Sequence, residues 1–311
     1  MSRRLVILCP GQGAQHADMF SVLGQPVDAA LLQDWALDDA LGQPLERVLA
    51  DPALQSANRI AQPLLVAATL AAWHVVKNVL PMPVLVAGYS IGELSAYGVA
   101  GSLNGREAVR LAAARAQAMD DCKAGQLPQG MLAVSGLGAT ALASLLPAGS
   151  AHVAISTGAA SFVVAGWADA LPALEETLRS AGAQVTPLPV QVASHTPMME
   201  TAVPSFLALL QASAIDPPRM PVVAGISGEL VTAVDAAQRM LSRQVAECIR
   251  WDDCMDACVE AGAEIVLELG PGSVLARMFH ARHPQIACRS LVDFRTVEGL
   301  RRWMGDRPTT P

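Results

Sequence analysis

With 311 residues the chain is long enough for one large domain, or for a main domain carrying a smaller one, and about three quarters of its unfolded surface can be buried. A formal net charge of −7 argues against the basic footprint that nucleic acid or an anionic membrane surface needs. Aromatic residues make up 4% beside an apolar share of 52%, so the core must be aliphatic and rich in small side chains. Lysine occurs only at Lys77 and Lys123, leaving arginine as the main cation. Fixed carboxylate or phosphate contacts and a GC-rich coding bias account for that equally well.

Read in chain order, short apolar runs alternate with longer helical patterns, the signature of an α/β fold with parallel strands. Leu5–Cys9 is a first strand closed by the turn Pro10-Gly11-Gln12-Gly13. Two arginines and a short apolar run are too little for a secretory segment. No stretch of membrane-spanning length lacks a charge, Pro or Gly. Pro63–Val76 is an apolar helix, Val84–Gly88 a buried strand, and helices are expected at Ile91–Ala100 and Arg106–Met119. The pattern changes near Gly125–Gly130. Strands at Met131–Val134, His152–Ser156, Phe162–Ala165 and Gln184–Leu188, with helices at Ala139–Leu146 and Ala168–Ala181, give the order β-α-β-β-α-β. That is the ferredoxin-like order and suits an inserted subdomain. A helix at Pro197–Ala212, a strand at Pro221–Gly225, helices at Ala237–Ile249 and Asp252–Ala261, a strand at Glu264–Leu269 and a helix at Ser273–Ala281 follow, with Arg307–Pro311 expected to fray. The division expected is a core of residues 1–125 and 193–311 with an insert of 126–192. Six cysteines match no zinc or disulfide pattern; Cys248, Cys254 and Cys258 read as small core residues of a helix, in a reducing cytoplasm.

The strongest chemical signal is Gly88-Tyr89-Ser90-Ile91-Gly92, a G-x-S-x-G run between the strand ending at Gly88 and a helix opening at Ile91. On such an elbow the glycines relieve crowding around a sharply turned serine, whose hydroxyl stands at a helix N-terminus. A serine needs a base. Of His16, His74, His152, His195, His280 and His283, His74 reads as a packing residue, and His280 and His283 as residues at a helix end. His195 lies in a strand-to-helix loop before Pro197, where catalytic side chains are commonly presented.

Five runs occur in one order: Gly11-Gln12-Gly13-Ala14-Gln15, GYSIGE at Gly88–Glu93, Arg115 within Ala114–Met119, Ser194-His195, and Leu269-Gly270-Pro271-Gly272. Their order and intervals resemble the malonyl-CoA:acyl-carrier-protein transacylase family over about residues 5 to 280. The resemblance implies an α/β-hydrolase-like core with a parallel sheet plus an inserted ferredoxin-like subdomain. It implies that Ser90 carries the acyl group and that His195 is general base, then general acid. A backbone carbonyl orients the histidine in that family, and the matching position is expected at Arg250. The N–H groups of Gln12 and Ile91 would form an oxyanion hole, each donor contributing about 3 kcal/mol in the transition state. Arg115, which alone would read as a surface charge, would grip a malonyl carboxylate. Malonyl-CoA is then the substrate and an acyl carrier protein the partner. No bound cofactor or metal is needed, because thioester, serine ester and thioester lie close in energy.

Three positions depart from the family's pattern: Tyr89 where histidine is usual, Ala224-Gly225-Ile226-Ser227-Gly228 where an Asn-Val-Asp-like turn is expected, and Ser156-Thr157-Gly158 in place of Asn-Ser-Pro. With the GYSIG elbow and the chain length, they make the chain look similar to the malonyl transferase subunit of bacterial malonate decarboxylase, with other decarboxylase subunits as further partners. A fatty-acid or polyketide malonyltransferase is the alternative. A serine esterase or thioesterase is a third reading, with Asp120, Asp121 or Asp169 as the acid, but it leaves Arg115 and Gly11–Gln15 without a role. A catalytically idle assembly subunit is a fourth, against which Ser90, His195 and Arg115 all stand.

Overall fold

The computed structural model describes residues 3–123 and 125–305. A six-stranded sheet runs in the order Leu230–Val231, Val222–Val223, Leu85–Gly88, Leu5–Cys9, Ile265–Glu268, Ala287–Ser290. Every pairing is parallel except the edge hairpin of Leu230–Val231 with Val222–Val223. Leu5–Cys9 is buried along its whole length, as a parallel strand covered on both faces must be. Its side chains alternate between two cores. Leu5, Ile7 and Cys9 meet the layer containing helices Asn58–Val76, Gly92–Val99 and Gly105–Lys123, whereas Val6 and Leu8 meet Trp251, Cys254, Cys258 and Phe279. The strand period of two thus divides one run of five residues between both layers.

Helix Asn58–Val76 is long and apolar enough to cross a membrane, yet 78% of its apolar window is buried inside the protein, which makes it a core helix here. It starts a turn earlier than its sequence pattern suggests and contains Pro63. His74 is exposed on it rather than packed, because the buried stripe passes to Ala72 and Val76.

The second sheet is antiparallel through Ala151–Gly158, Ser161–Trp167, Gln129–Ser135 and Gln184–Leu188, with strands in the spatial order second, third, first, fourth. Helices Ala139–Leu145 and Leu171–Ser180 cover one face over a separate core that includes Leu132, Val134, Phe162 and Leu178. The other face, through Met131, Ala154 and Ala165, shares a core with Val6 and Leu8 of the parallel sheet and with Trp251 and Met255. This is the ferredoxin-like arrangement, and with the parallel sheet it completes the α/β architecture.

Two expected helices are corrected. Pro197–Ala212 divides into a 3₁₀ turn, Pro197–Met199, and a helix, Ala202–Gln211. The helix expected at Ala237–Ile249 is Val234–Arg243, and Ile249–Arg250 is a short strand that joins the second sheet beside Ile155 and Ser156. Cys254 and Cys258 are buried helix residues, whereas Cys248 lies outside any helix and is partly exposed. Arg307–Pro311 falls outside the described residues.

Candidate active site

Ser90 follows the strand Leu85–Gly88 directly and precedes helix Gly92–Val99, at the carboxyl end of the parallel sheet where open α/β folds collect their ligands. Its φ of 56° lies in the left-handed region, a strained state for a residue with a Cβ and typical of a functional turn. The turn is possible because its neighbours have no side chain. A Cβ on Gly88 would stand 2.2 Å from the backbone of Glu93, and one on Gly92 would stand 2.2 Å from the carbonyl oxygen of Cys9. Both obstacles are backbone and cannot rotate away. Gly92→Ala is therefore expected to lower stability by about 3 kcal/mol or more, measured by denaturant unfolding.

Ser90 Oγ lies 2.7 Å from His195 Nε2. His195 is buried, 1% exposed, and holds φ 65° in its loop. Its Nδ1 lies 2.6 Å from the Gln244 carbonyl oxygen, and its own backbone N–H donates to the Val245 carbonyl at 2.8 Å. A carbonyl only accepts, so Nδ1 carries the proton and Nε2 is free to receive one from Ser90. Burial, and then the charge of Arg115, lower the imidazole's pKa to about 3, partly opposed by the Gln244 bond, so it rests neutral.

The orienting carbonyl is thus Gln244, not Arg250. Had the helix continued to Ile249, the Gln244 carbonyl would have been used by the amide four residues on. Because it stops at Arg243, the carbonyls of Gln244 and Val245 are free, and His195 takes both. Arg250 turns away toward the second sheet: its N–H donates to Gly225 O at 2.8 Å and its guanidinium pairs with Asp253 at 2.5 Å. Among the described residues no carboxylate completes a hydrolase-type triad, since Nδ1 is taken by the Gln244 carbonyl. Asp120 accepts from Asn58 at 3.0 Å and Asp121 from Gln117 at 2.5 Å.

Arg115 on helix Gly105–Lys123 is 2% exposed and lines the same cavity of about 450 Å³ as Ser90, Gln12 and Ile91. One guanidinium nitrogen donates to Gln62 Oε1 at 2.7 Å and to Met119 Sδ at 3.4 Å, and the other to Gln244 Oε1 at 3.0 Å. All three acceptors are neutral. Burial pulls this guanidinium's pKa down to about 10, and the charge of Glu93 opposes the shift. Among the described residues neither the Gln12 nor the Ile91 N–H donates to a protein acceptor, and both residues border the Ser90 cavity.

Sequence reasoning missed Gln244, Gln62 and Glu93. Glu93 is fully buried one turn beyond Ser90; its Oε2 accepts from Gly225 N at 2.9 Å and from Gln244 Nε2 at 2.5 Å, and its Oε1 has no partner. Gln244 Nε2 also reaches the Ser90 carbonyl at 3.1 Å. One residue therefore touches Ser90, His195, Arg115 and Glu93. The only sequence clue was the Glu in GYSIGE, which an N-terminal helix position explains by itself. Tyr89 lies against Trp251, ring centroids 5.3 Å apart at 81°, and faces a separate cleft with Ser135, Thr157 and Thr186. His16 is exposed, its Nδ1 accepts from Asp18 N at 3.2 Å, and it borders a different pocket from that of Ser90, beside Leu23 and Phe294.

This arrangement places a strained serine, residues with free backbone donors and a buried cation around one cavity, with a neutral, carbonyl-tied histidine hydrogen-bonded to the serine. The acyl transferase domain family matches residues 6–290. The chain belongs to that family. It is 33% identical to the malonyl CoA-acyl carrier protein transacylase of Mycobacterium tuberculosis over 276 residues, which cover 88% of this chain and 91% of that one. It is 32% identical to polyketide synthase GfsA of Streptomyces halstedii over 276 residues, 86% of this chain but only 4% of the synthase. The solved malonyl-CoA:acyl carrier protein transacylase of Helicobacter pylori superposes with a TM-score of 0.89 at 26% identity, covering 98% of this chain and 99% of that one.

Proposed function

We propose that this acyl transferase moves a malonyl group from malonyl-CoA to the thiol of an acyl carrier protein through an ester on Ser90. The observation that carries the reading is Arg115: a buried guanidinium in the serine's cavity, held only by two amide oxygens and a thioether. Among the described residues its charge has no carboxylate in direct contact, and a malonyl carboxylate supplies one.

In the first half-reaction the Ser90 Oγ–H proton passes to His195 Nε2 as Oγ bonds the thioester carbon. The oxygen that becomes negative is met by the N–H groups of Gln12 and Ile91. The C–S bond then breaks and the leaving sulfur takes the proton from Nε2. The second half-reaction reverses these steps with the carrier's thiol. The Gln244 carbonyl keeps Nδ1 protonated throughout, doing with a neutral group what an aspartate does in a triad.

The relatives named as a transacylase and as a polyketide synthase favour a fatty-acid or polyketide setting over the malonate decarboxylase expectation drawn from the GYSIG elbow. Tyr89, one of the departures behind that expectation, packs outside the serine cavity.

Arg115→Ala tests the reading. Malonyl transfer loses a charge-assisted pair of about 1.5–3 kcal/mol, on the order of ten- to a hundredfold in kcat/KM. Acetyl transfer gains, because no guanidinium is then buried with only neutral acceptors and no carboxylate to meet its charge. The malonyl-to-acetyl ratio should fall and can invert, measured by transfer to a carrier thiol from both CoA esters. An unchanged ratio means that the carboxylate is read elsewhere.

A further inference from the structure

Among the described residues, Glu93 is the buried carboxylate linked to the Arg115 guanidinium through a single residue. Gln244 donates from Nε2 to Glu93 Oε2 at 2.5 Å and accepts with Oε1 from Arg115 at 3.0 Å, so its amide dipole points from one charge to the other. The serine mechanism does not use this carboxylate. It is 0% exposed, its Oε1 has no partner, and the residue at Gly225 has to be small because a Cβ there would stand 2.7 Å from Oε2. Such a group is costly to bury charged and needs a reason to be there.

We propose that Glu93 is a specificity-determining positioning residue. Ionised, it offsets the Arg115 charge through Gln244 and weakens the hold on a malonyl carboxylate; protonated, it leaves that charge to the substrate. The proposal rests on the reading that Arg115 binds the carboxylate.

The charge count sets the direction. With Arg115 positive and Glu93 ionised the pocket is neutral, and a malonyl carboxylate makes it −1. With Glu93 protonated the pocket is +1, and the same carboxylate neutralises it. Malonyl loading therefore favours protonated Glu93 and draws a proton onto it, whereas an acetyl group has no charge to exert that pull. Burial raises the Glu93 pKa to about 7, against the lowering pull of Gln244, Gly225 and Arg115, so the change falls near neutrality. The groups facing Glu93 do not titrate there. Tyr97 on its own helix and Cys254 on helix Trp251–Glu260 are held neutral by burial. Arg115 on helix Gly105–Lys123 stays charged, and His195 beyond it stays neutral.

The test is competition of malonyl- and acetyl-CoA for the enzyme between about pH 6 and 8.5, read as the ratio of the two transfer rates, in which the His195 dependence cancels. In the wild type the malonyl-to-acetyl ratio should fall with rising pH, by about tenfold for each unit that malonyl moves the Glu93 pKa. Glu93→Gln keeps an oxygen for Gly225 and Gln244 and should hold the ratio at its acid-side value across the range. A merely structural role would change both rates together and leave the slope. A flat wild-type ratio, or an unchanged slope in Glu93→Gln, overturns the proposal. Arg115→Ala run beside them separates the two ideas: if it lowers the ratio while the wild type is flat, only the Glu93 proposal falls, and if it leaves the ratio unchanged the carboxylate reading falls first. Should Glu93→Gln not fold, proton uptake by the wild type near pH 7, followed with an indicator dye, replaces it. Malonyl loading should take up a fraction of a proton that acetyl loading does not, and equal uptake overturns the proposal.

Discussion

Ser90→Ala is expected to abolish the malonyl adduct while the fold persists, read by intact mass after exposure to malonyl-CoA. The substitution removes the hydroxyl oxygen 2.7 Å from His195 Nε2 and nothing that the core depends on. The strained φ of 56° remains, because alanine carries the same Cβ. Ser90→Gly relieves that strain and should therefore be more stable than Ser90→Ala by about 1 kcal/mol, net of glycine's extra unfolded-state entropy, in thermal unfolding. The pair of variants separates the chemical role of the hydroxyl from the conformational cost of its position. A full adduct on either variant would remove Ser90 from the mechanism.

His195→Ala is expected to slow both loading and unloading by about 10²–10⁴-fold, the usual contribution of a general base, measured as single-turnover rates for each half-reaction. The pH profile adds a second check. A base must be neutral to accept a proton, and the pKa near 3 keeps it neutral far below the usual histidine range. Acetyl transfer by the wild type should show no acid limb near pH 6.5. The sign for stability follows from the same shift. Below about pH 6.5 the unfolded chain binds a proton that the folded histidine refuses, so this contribution is present above that pH and is lost as pH falls toward 3. Unchanged transfer rates in the variant would move the role to another histidine, and the exposed position of His16 makes it a poor successor.

The elbow was legible because everything it needs is local. An apolar strand, two glycines around a serine and an immediate helix are adjacent in sequence, and the observed strand Leu85–Gly88 and helix Gly92–Val99 lie within a residue or so of their patterns. The β-α-β-β-α-β run was legible for the same reason, since each strand is short, apolar and bounded by turns. Arg115 was legible only by resemblance. Its helix carries other arginines, and nothing local distinguishes Arg115 from the exposed Arg110 that pairs with Glu107. The end of helix Val234–Arg243 was not legible. No glycine or proline marks it, and the apolar spacing continues to Ile249. What stops the helix is tertiary: the carbonyls of Gln244 and Val245 find better use at His195, 49 residues away in sequence for the ring bond, and Ile249–Arg250 pairs with Ile155 and Ser156.

By itself, then, the sequence determined the elements whose causes lie within a few residues: the buried strands, the strained serine turn and the order of the inserted sheet. Tertiary structure alone decided which carbonyl holds the histidine, that Arg115 is buried among neutral acceptors, and that Gln244 joins the serine, the histidine, the arginine and Glu93. Apart from Arg115 to Met119, those contacts span sequence separations of 49 to 154 residues. Hydrophobic period and turn chemistry act over a turn or a strand. A buried hydrogen bond is settled only when distant segments are packed close enough that each polar group must find a partner or remain without one.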